Sequence, residues 1–266
     1  EKHGDVYMLG SIVHNEKVVS NLENAGAIIV KNLSDVPNDS PILFRAHGTV
    51  NNLWEEAKAK NMNIVDATCP LVYEIHQEVK KLAEDGRQII VIGDHGHDEV
   101  VAITAQVDKS IVVSSPEEAK KLRKMKKAGI VSQSTQAIEN VQAIINILMS
   151  KVFDLHFINT ICFPTKRNHD QIKEIAAVND IMIIIGSFTS ANSKRLTQLS
   201  LDRNPNSYQV TGKQDLNPKW FKNMGTIGIS AGASTPDYLI DEVKKGIEII
   251  YKEKLWKKEP SKLKSA

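Results

Sequence analysis

Short apolar segments alternate with helical patterns along this chain, and this alternation limits the fold more than any other feature. Eleven segments have strand length: Val6–Leu9, Ala27–Val30, Ile42–Phe44, Asn63–Val65, Gln88–Ile92, Ile111–Val113, Gly129–Val131, Leu155–Phe157, Ile181–Ile185, Ser207–Val210 and Thr226–Ile229. Continuous runs of valine, isoleucine and leucine are typical of parallel strands that are covered on both faces. The alternation with helices predicts an α/β fold, and eleven strands fit three small sheets better than one large sheet.

Nine segments with helical periodicity lie between the predicted strands. They are Glu16–Asn24, Leu53–Lys60, Val72–Glu84, Glu99–Gln106, Pro116–Lys126, Gln136–Lys151, Asp170–Val178, Ser193–Leu201 and Pro236–Tyr251. The clearest helix start is at Ser115, because a capping serine is followed there by proline and two acidic residues. This helix should therefore begin at Pro116.

The composition is that of an ordinary globular enzyme. The 266 residues are 41% hydrophobic and 25% charged, with a net charge of +2, so the chain can bury a large core. This balance argues against a nucleic-acid partner, which would normally bind a concentrated basic face. No apolar run approaches the ~18 residues of a membrane span, so no membrane partner is expected. Two cysteines form no disulfide framework, which favours a reducing cytoplasm.

Polar side chains follow several predicted strands, where ligands of open α/β sheets gather. Two cysteines and three histidines share this placement: His14, His47, Cys69, His97 and Cys162. The two cysteines follow similar apolar runs, as thiolates directed at one shared centre would. The pattern indicates a metal or iron–sulfur site beside an anion-binding pocket. Taken singly, such a cysteine is more often a small buried apolar residue than a ligand, and such a histidine more often has a structural role.

Hydroxyl and amide side chains also stand at predicted helix starts. Ser134, Ser190, Asn192 and Ser234 follow strands directly. Free backbone N–H groups and the positive end of the helix dipole favour a phosphate at such places. Any one of these residues is more often a helix cap, but together with three histidines they predict a diphosphate site.

Seven sequence words carry a resemblance to one family. They are Ile12-Val13-His14-Asn15, Ala46-His47-Gly48, Asp66-Ala67-Thr68-Cys69-Pro70-Leu71-Val72, Gly96-His97-Asp98-Glu99-Val100, Asn159-Thr160-Ile161-Cys162, Ser190-Ala191-Asn192-Ser193 and Ala231-Gly232-Ala233-Ser234. From about Val6 to about Tyr251 the chain resembles the LytB-type 4-hydroxy-3-methylbut-2-enyl diphosphate reductases. These iron–sulfur enzymes of the non-mevalonate isoprenoid pathway form isopentenyl and dimethylallyl diphosphate.

The resemblance implies three α/β units around a central cluster and substrate cavity. The units would be residues 1–69, 70–158 and 159–250, with a lysine-rich segment at 251–266. Cys69 and Cys162 would ligate a [4Fe-4S] cluster, and Glu99 would supply the proton. The substrate would contact His14, His47, His97, Ser134, Ser190, Ala191, Asn192 and Ser234. Electrons would come from a donor such as ferredoxin or flavodoxin.

The chain departs from the family pattern at three places. The family's first cluster cysteine lies in a Gly-Phe-Cys-type segment that would precede Glu1, and we expect the first unit to be incomplete. His3 and Asp5 are weak substitutes for that ligand. Ser134 replaces the usual threonine and keeps the hydroxyl, whereas Ala191 replaces the usual serine and loses one phosphate contact.

Two alternatives to the reductase stay open at this point. The chain could be a catalytically inactive relative that binds a diphosphate without a cluster. It could also belong to another three-cysteine, three-unit architecture of the quinolinate synthase type. The Ala-His-Gly and Gly-His-x-Glu words favour the reductase over the latter. Glu99 could also be only a charge that complements the start of a helix.

Overall fold

A computed structural model describes residues 5–257. His3 and residues 258–266 of the lysine-rich segment therefore lie outside the described residues. The strands, β1 to β11, are Val6–Leu9, Ala27–Val30, Pro41–Phe44, Asn63–Asp66, Gln88–Ile92, Ser110–Val113, Met125–Ser132, Val152–Phe157, Ile181–Ile185, Ser207–Val210 and Ile227–Ala231. The α-helices, α1 to α9, are Glu16–Asn24, Asn51–Ala59, Pro70–Glu84, Asp98–Thr104, Pro116–Lys121, Ile138–Met149, Phe163–Val178, Ala191–Leu201 and Asp237–Glu253.

The strands form three small sheets in which every strand pair is parallel. The strand orders are β2-β1-β3-β4, β6-β5-β7-β8 and β10-β9-β11. The predicted α/β class with three parallel sheets is confirmed. By compactness the chain divides into residues 1–166, which hold the first two sheets, and residues 167–266, which hold the third. The finer division at residues 69 and 158 stays a prediction.

Burial of the strands differs between the sheets. In β5, Ile90 and Ile92 pack into one buried cluster while Ile89 and Val91 pack into another, so both faces of this strand are covered. The third sheet has the same arrangement around β9. The expectation of two covered faces is wrong for the edges of the first sheet, where Val65 on β4 is 48% exposed. An edge strand has a neighbour on one side only, so less of it is buried.

One predicted helix is too long. Ser115 caps α5 as expected, because its side chain accepts a hydrogen bond from the Glu118 N–H. The helix ends at Lys121 rather than Lys126, and β7 begins at Met125. The residues that follow pair with β8 in the sequence Met125↔Val152 to Ile130↔Phe157. Pairing with a strand distant in sequence thus overrides the local helical pattern.

Between residues 5 and 257, no helix is long and apolar enough to cross a bilayer.

Candidate active site

Three histidines of the first compact unit lie together at the carboxyl ends of its strands. His14 follows β1, His47 follows β3, and His97 is the residue before α4. The ring centroid of His14 lies 4.5 Å from that of His47 and 5.4 Å from that of His97. The rings of His47 and His97 are 5.6 Å apart. The predicted grouping of the three imidazoles is therefore present in the fold.

Backbone hydrogen bonds hold the loops that carry these side chains. The Ala46 N–H donates to Ile12 O at 3.0 Å, and the Cys69 N–H donates to Ala46 O at 3.0 Å. These bonds thus connect the loop after β1 to the loop after β3, and the loop after β3 to the loop after β4. Gly48 has a φ of +91°, and a Cβ there would lie 3.0 Å from the His76 ring. The Ala-His-Gly word therefore needs its glycine, because both the backbone angle and the space exclude a side chain.

The electrostatic character of the histidine cluster favours anions. Burial, together with His14 and His97, lowers the pKa of His47 to about 4. Its buried Nδ1 has no hydrogen-bond partner among the described residues. Ligand atoms of His14, His47 and Asp98 lie within 4.8 Å of one another, close enough to hold a cation. Arg45 donates to Asp98 at 2.7 Å, however, so this carboxylate already has a cationic partner, and the imidazole donors remain for an anion.

Glu99 is the most deeply buried acid of the site, with 1% of its surface exposed. Its carboxylate accepts a hydrogen bond from the Ser134 N–H at 2.6 Å and another from Ser134 Oγ at 2.8 Å. The Glu99 N–H donates to His97 Nδ1 at 3.2 Å, so the ring proton of neutral His97 resides on Nε2. The strands β5 and β7 lead directly into these two segments. The fold thus brings the predicted acid, its hydroxyl partner and one histidine together.

Both cysteines lie where a strand gives way to a helix, and both are free thiols of intermediate burial. Cys69 precedes α3, and Cys162 precedes α7. The Cys162 N–H donates to Ser134 O at 2.9 Å, and its Sγ lies 3.0 Å from Thr165 Oγ1. Thiolates are the donors that iron–sulfur clusters require. The two residues therefore fit two ligand positions, and the 266 residues contain no third cysteine.

The second compact unit contains Ser190, Ala191, Asn192 and Ser234, which are the remaining residues predicted to contact the substrate. Ser190 caps α8, because its Oγ accepts a hydrogen bond from the Ser193 N–H at 3.3 Å. Asn192 is 6% exposed, and neither its side-chain oxygen nor its nitrogen has a partner among the described residues. Ala191 is the first residue of the helix, and Ser234 is half-buried in the loop after β11. A buried amide without partners indicates a place for a polar ligand.

The sequence did not predict three residues of the site. Two of them lie near the histidines, and one lies near Cys162. Arg45 and Asp98 form the ion pair beside the histidines, and each adjoins a histidine word in the sequence. Thr165 is fully buried against Cys162. Its position in the first turn after a predicted cluster cysteine was the only available indication. By contrast, His95 belongs to the surface, where its Nε2 lies 2.9 Å from Glu118.

Comparison with known proteins agrees with this arrangement. The family model described as LytB protein matches residues 1–248. This chain belongs to the LytB family. A 4-hydroxy-3-methylbut-2-enyl diphosphate reductase of Geotalea uraniireducens is 41% identical over 255 residues, which cover 96% of this chain and 90% of the relative. The corresponding reductase of Geobacter metallireducens is 40% identical over 244 residues, covering 91% and 86%.

Two solved structures resemble this LytB protein. A reductase from Plasmodium falciparum, titled as acting on E-1-hydroxy-2-methyl-but-2-enyl-4-diphosphate, has a TM-score of 0.86 at 30% identity, with 94% of this chain and 79% of the other covered. A second, titled (E)-4-hydroxy-3-methyl-but-2-enyl diphosphate reductase, has a TM-score of 0.68 at 35% identity, covering 94% and 90%. The resemblance to the LytB-type reductases found in the sequence is thereby confirmed.

Proposed function

We propose that this LytB protein reduces 4-hydroxy-3-methylbut-2-enyl diphosphate to isopentenyl and dimethylallyl diphosphate. The reaction consumes two electrons and two protons, breaks the allylic C–O bond and releases water. The observation that carries the proposal is the similarity to reductases of this name over 96% of the chain. This similarity also favours the reductase over an inactive diphosphate-binding relative.

The proposed cofactor is a [4Fe-4S] cluster. Cys69 and Cys162 would hold it through two thiolates, and a further protein thiolate would have to come from outside the 266 residues. When bound, the cluster supplies electrons and a Lewis-acidic iron for the substrate hydroxyl. We propose ferredoxin or flavodoxin as the electron donor. The two free thiols are consistent with a reducing compartment, and we propose the cytoplasm.

The diphosphate is proposed to bind the histidine cluster. His14, His47 and His97 offer imidazole N–H donors within one group of rings. A bound anion would also favour protonation of His47, whose pKa is lowered mainly by burial. Each charge-assisted hydrogen bond gained in this way would strengthen binding.

Ser190, Asn192 and Ser234 are proposed to donate further hydrogen bonds to phosphate oxygens. The support for Asn192 is strongest, because its buried amide has no partner within residues 5–257. At Ala191 only the backbone N–H is available, since the residue has no hydroxyl. A missing hydroxyl at this position should weaken binding without abolishing it.

Glu99 is proposed as the proton source, acting together with Ser134. The carboxylate is buried and is held by two hydrogen bonds from one residue, so its oxygens are fixed in place. A carboxylic acid so held can deliver a proton to the departing hydroxyl through the Ser134 hydroxyl. With 1% of its surface exposed, Glu99 is shielded from bulk water that would compete for that proton.

Reconstitution tests the assignment. The chain is incubated anaerobically with iron and sulfide, first alone and then as an otherwise identical protein preceded by a Gly-Phe-Cys segment. We expect reductase turnover and a full cluster in the extended protein, and loss of both in its Cys69→Ser and Cys162→Ser variants. Turnover that survives either substitution would contradict the ligand assignment. A full cluster in the chain without the segment would contradict the need for a further thiolate.

A further inference from the structure

A second cavity of the first compact unit lies at the opposite ends of the strands that lead to Glu99 and Ser134. It is a cleft of about 1020 Å³ at the amino ends of β5 to β8. Six cationic side chains line it: Arg87, Lys109, Lys121, Arg123, Lys126 and Lys127. One acid, Asp154, is also present. Since the whole chain has a net charge of only +2, the cleft concentrates positive charge that the rest of the sequence balances.

Most of these cationic side chains form no ion pair with the described residues of the protein. Arg87 donates to Asp154 at 2.9 Å, and Lys127 donates to Asp85 at 3.0 Å. The other four cations, Lys109, Lys121, Arg123 and Lys126, are exposed and form no ion pair with any residue between 5 and 257. Asp85 and Asp154 are therefore already paired, whereas these four cations have no counter-charge within the described part of the chain.

Stabilisation of helix ends does not account for the four cations. Helices α3 and α5 end near the cleft, and cations commonly neutralise such carboxyl ends. Other lysines already do so: Lys151 donates to Lys120 O and Leu122 O at 2.7 Å each, and Lys127 donates to Asp85 O at 2.5 Å. The unpaired cations thus remain after the carbonyls have been satisfied.

Apolar side chains give the cleft a second character. Ile111, Leu122 and Met125 are half-buried against the main core and form its floor. Phe153 lines the cleft with 92% of its surface exposed. An aromatic residue exposed to this degree, next to unpaired cations, is what an amphiphilic anion would cover. A hydrocarbon chain would lie on the floor and a phosphate head group would meet the cations.

We propose that this cleft binds a prenyl diphosphate whose chain is longer than five carbons. The choice of an isoprenoid chain rests on the proposed function, because its substrate and products are themselves isoprenoid diphosphates. The charge and the apolar floor of the cleft are observed independently of that choice. The cleft is concave rather than flat, which favours a dissolved amphiphile over a bilayer surface. Its single aromatic side chain and aliphatic floor offer little to the successive bases of a nucleic acid.

The test is equilibrium binding of geranyl diphosphate to the full chain, measured by calorimetry without a cluster. A Lys121→Gln/Arg123→Gln/Lys126→Gln variant should weaken this binding by at least about tenfold. Phe153→Ser should weaken it for geranyl diphosphate and leave binding of inorganic diphosphate unchanged. The matched control is Lys244→Gln/Lys245→Gln, which removes two exposed lysines of α9 and should bind as the unaltered chain does.

The histidine site also binds diphosphates under the proposed function, so the two sites must be separated. Binding to the cleft should persist in His47→Ala, and reductase turnover of reconstituted enzyme reports on the other site alone. The proposal is overturned if the triple variant binds geranyl diphosphate normally, or if Phe153→Ser has no effect. It is equally overturned if inorganic diphosphate, anionic phospholipid vesicles or a single-stranded RNA binds the cleft more tightly than geranyl diphosphate. None of these outcomes depends on whether the chain is a reductase.

Discussion

Glu99 and Asn192 are both polar and almost fully buried, yet their surroundings differ. The Glu99 carboxylate accepts two hydrogen bonds from Ser134. The Asn192 amide has no partner on either side-chain atom among the described residues. A satisfied buried group is held in one orientation by the fold, whereas an unsatisfied one keeps its hydrogen-bonding capacity for a ligand. The difference separates a residue positioned for chemistry from a residue available for binding.

The largest effect is expected at Glu99. Glu99→Gln keeps the size and the hydrogen-bonding capacity of the side chain but removes the acidic proton. Turnover of reconstituted enzyme should fall by ~10²–10⁴, while the affinity for substrate changes little. Single-turnover kinetics and substrate binding measured on the same preparation check this. Near-normal turnover with a lowered melting temperature would instead make Glu99 a structural residue at the start of α4.

Asn192 should respond in the opposite way. Asn192→Ala removes two buried polar atoms that have no partner among the described residues, so the free energy of unfolding without ligand should change by less than about 1 kcal/mol. Diphosphate affinity should fall by about tenfold to a hundredfold, which corresponds to the loss of one hydrogen bond to a charged group. Thermal unfolding and calorimetry decide the matter.

The control for that comparison is Glu99→Leu, which leaves the buried Ser134 N–H and hydroxyl without their acceptor. It should lower the free energy of unfolding by about 1–3 kcal/mol. Equal stability losses in Asn192→Ala and Glu99→Leu would remove the distinction between the two residues.

A smaller effect is expected at Ser134. Ser134→Ala removes one of the two bonds to Glu99 but keeps the backbone N–H, so turnover should fall by about tenfold. Ser134→Thr retains the hydroxyl and should recover most of the activity. If alanine and threonine behaved alike in steady-state kinetics, the hydroxyl would have no part in proton delivery.

The smallest effect concerns the dependence of stability on pH. The pKa of His47 is lowered from 6.5 to about 4 in the folded chain, mainly by burial. Between these values the unfolded chain binds the proton more readily, so this contribution to stability is present above pH 6.5 and is lost as pH falls towards 4. His47→Gln should reduce the change of the melting temperature with pH between about pH 4 and pH 6.5.

His76 provides a control for this measurement, because burial lowers its pKa to about 4 as well. His76→Gln should remove its own share of the slope, and the double variant should remove both. An unchanged slope in all three variants would mean that neither imidazole is protonated differently on folding.

The sequence predicted the strands well because their burial follows from local composition. All eleven predicted strands are present, and the isoleucine-rich strands β5 and β9 match their predicted bounds. The end of α5 at Lys121 was not predictable, since Met125 to Ile130 pair with residues of β8 that lie more than twenty positions away. The net charge misled for a different reason, because a sum over the whole chain hides a local cluster. A net charge of +2 suggested no basic face, although six of the eight residues from 120 to 127 are lysine or arginine.

For the site, sequence motifs and the family resemblance identified the candidate functional residues Cys69, His97, Glu99 and Cys162. Only the tertiary structure decided how they are held. The contact of Arg45 with Asp98 joins segments more than fifty residues apart, and the bonds from Ser134 to Glu99 join segments thirty-five residues apart. No local pattern encodes such contacts, because parallel strands bring their carboxyl ends together only after long crossover connections have folded. The sequence specifies the chemical groups, and the packing of the sheets decides which of them are satisfied and which are left for a ligand.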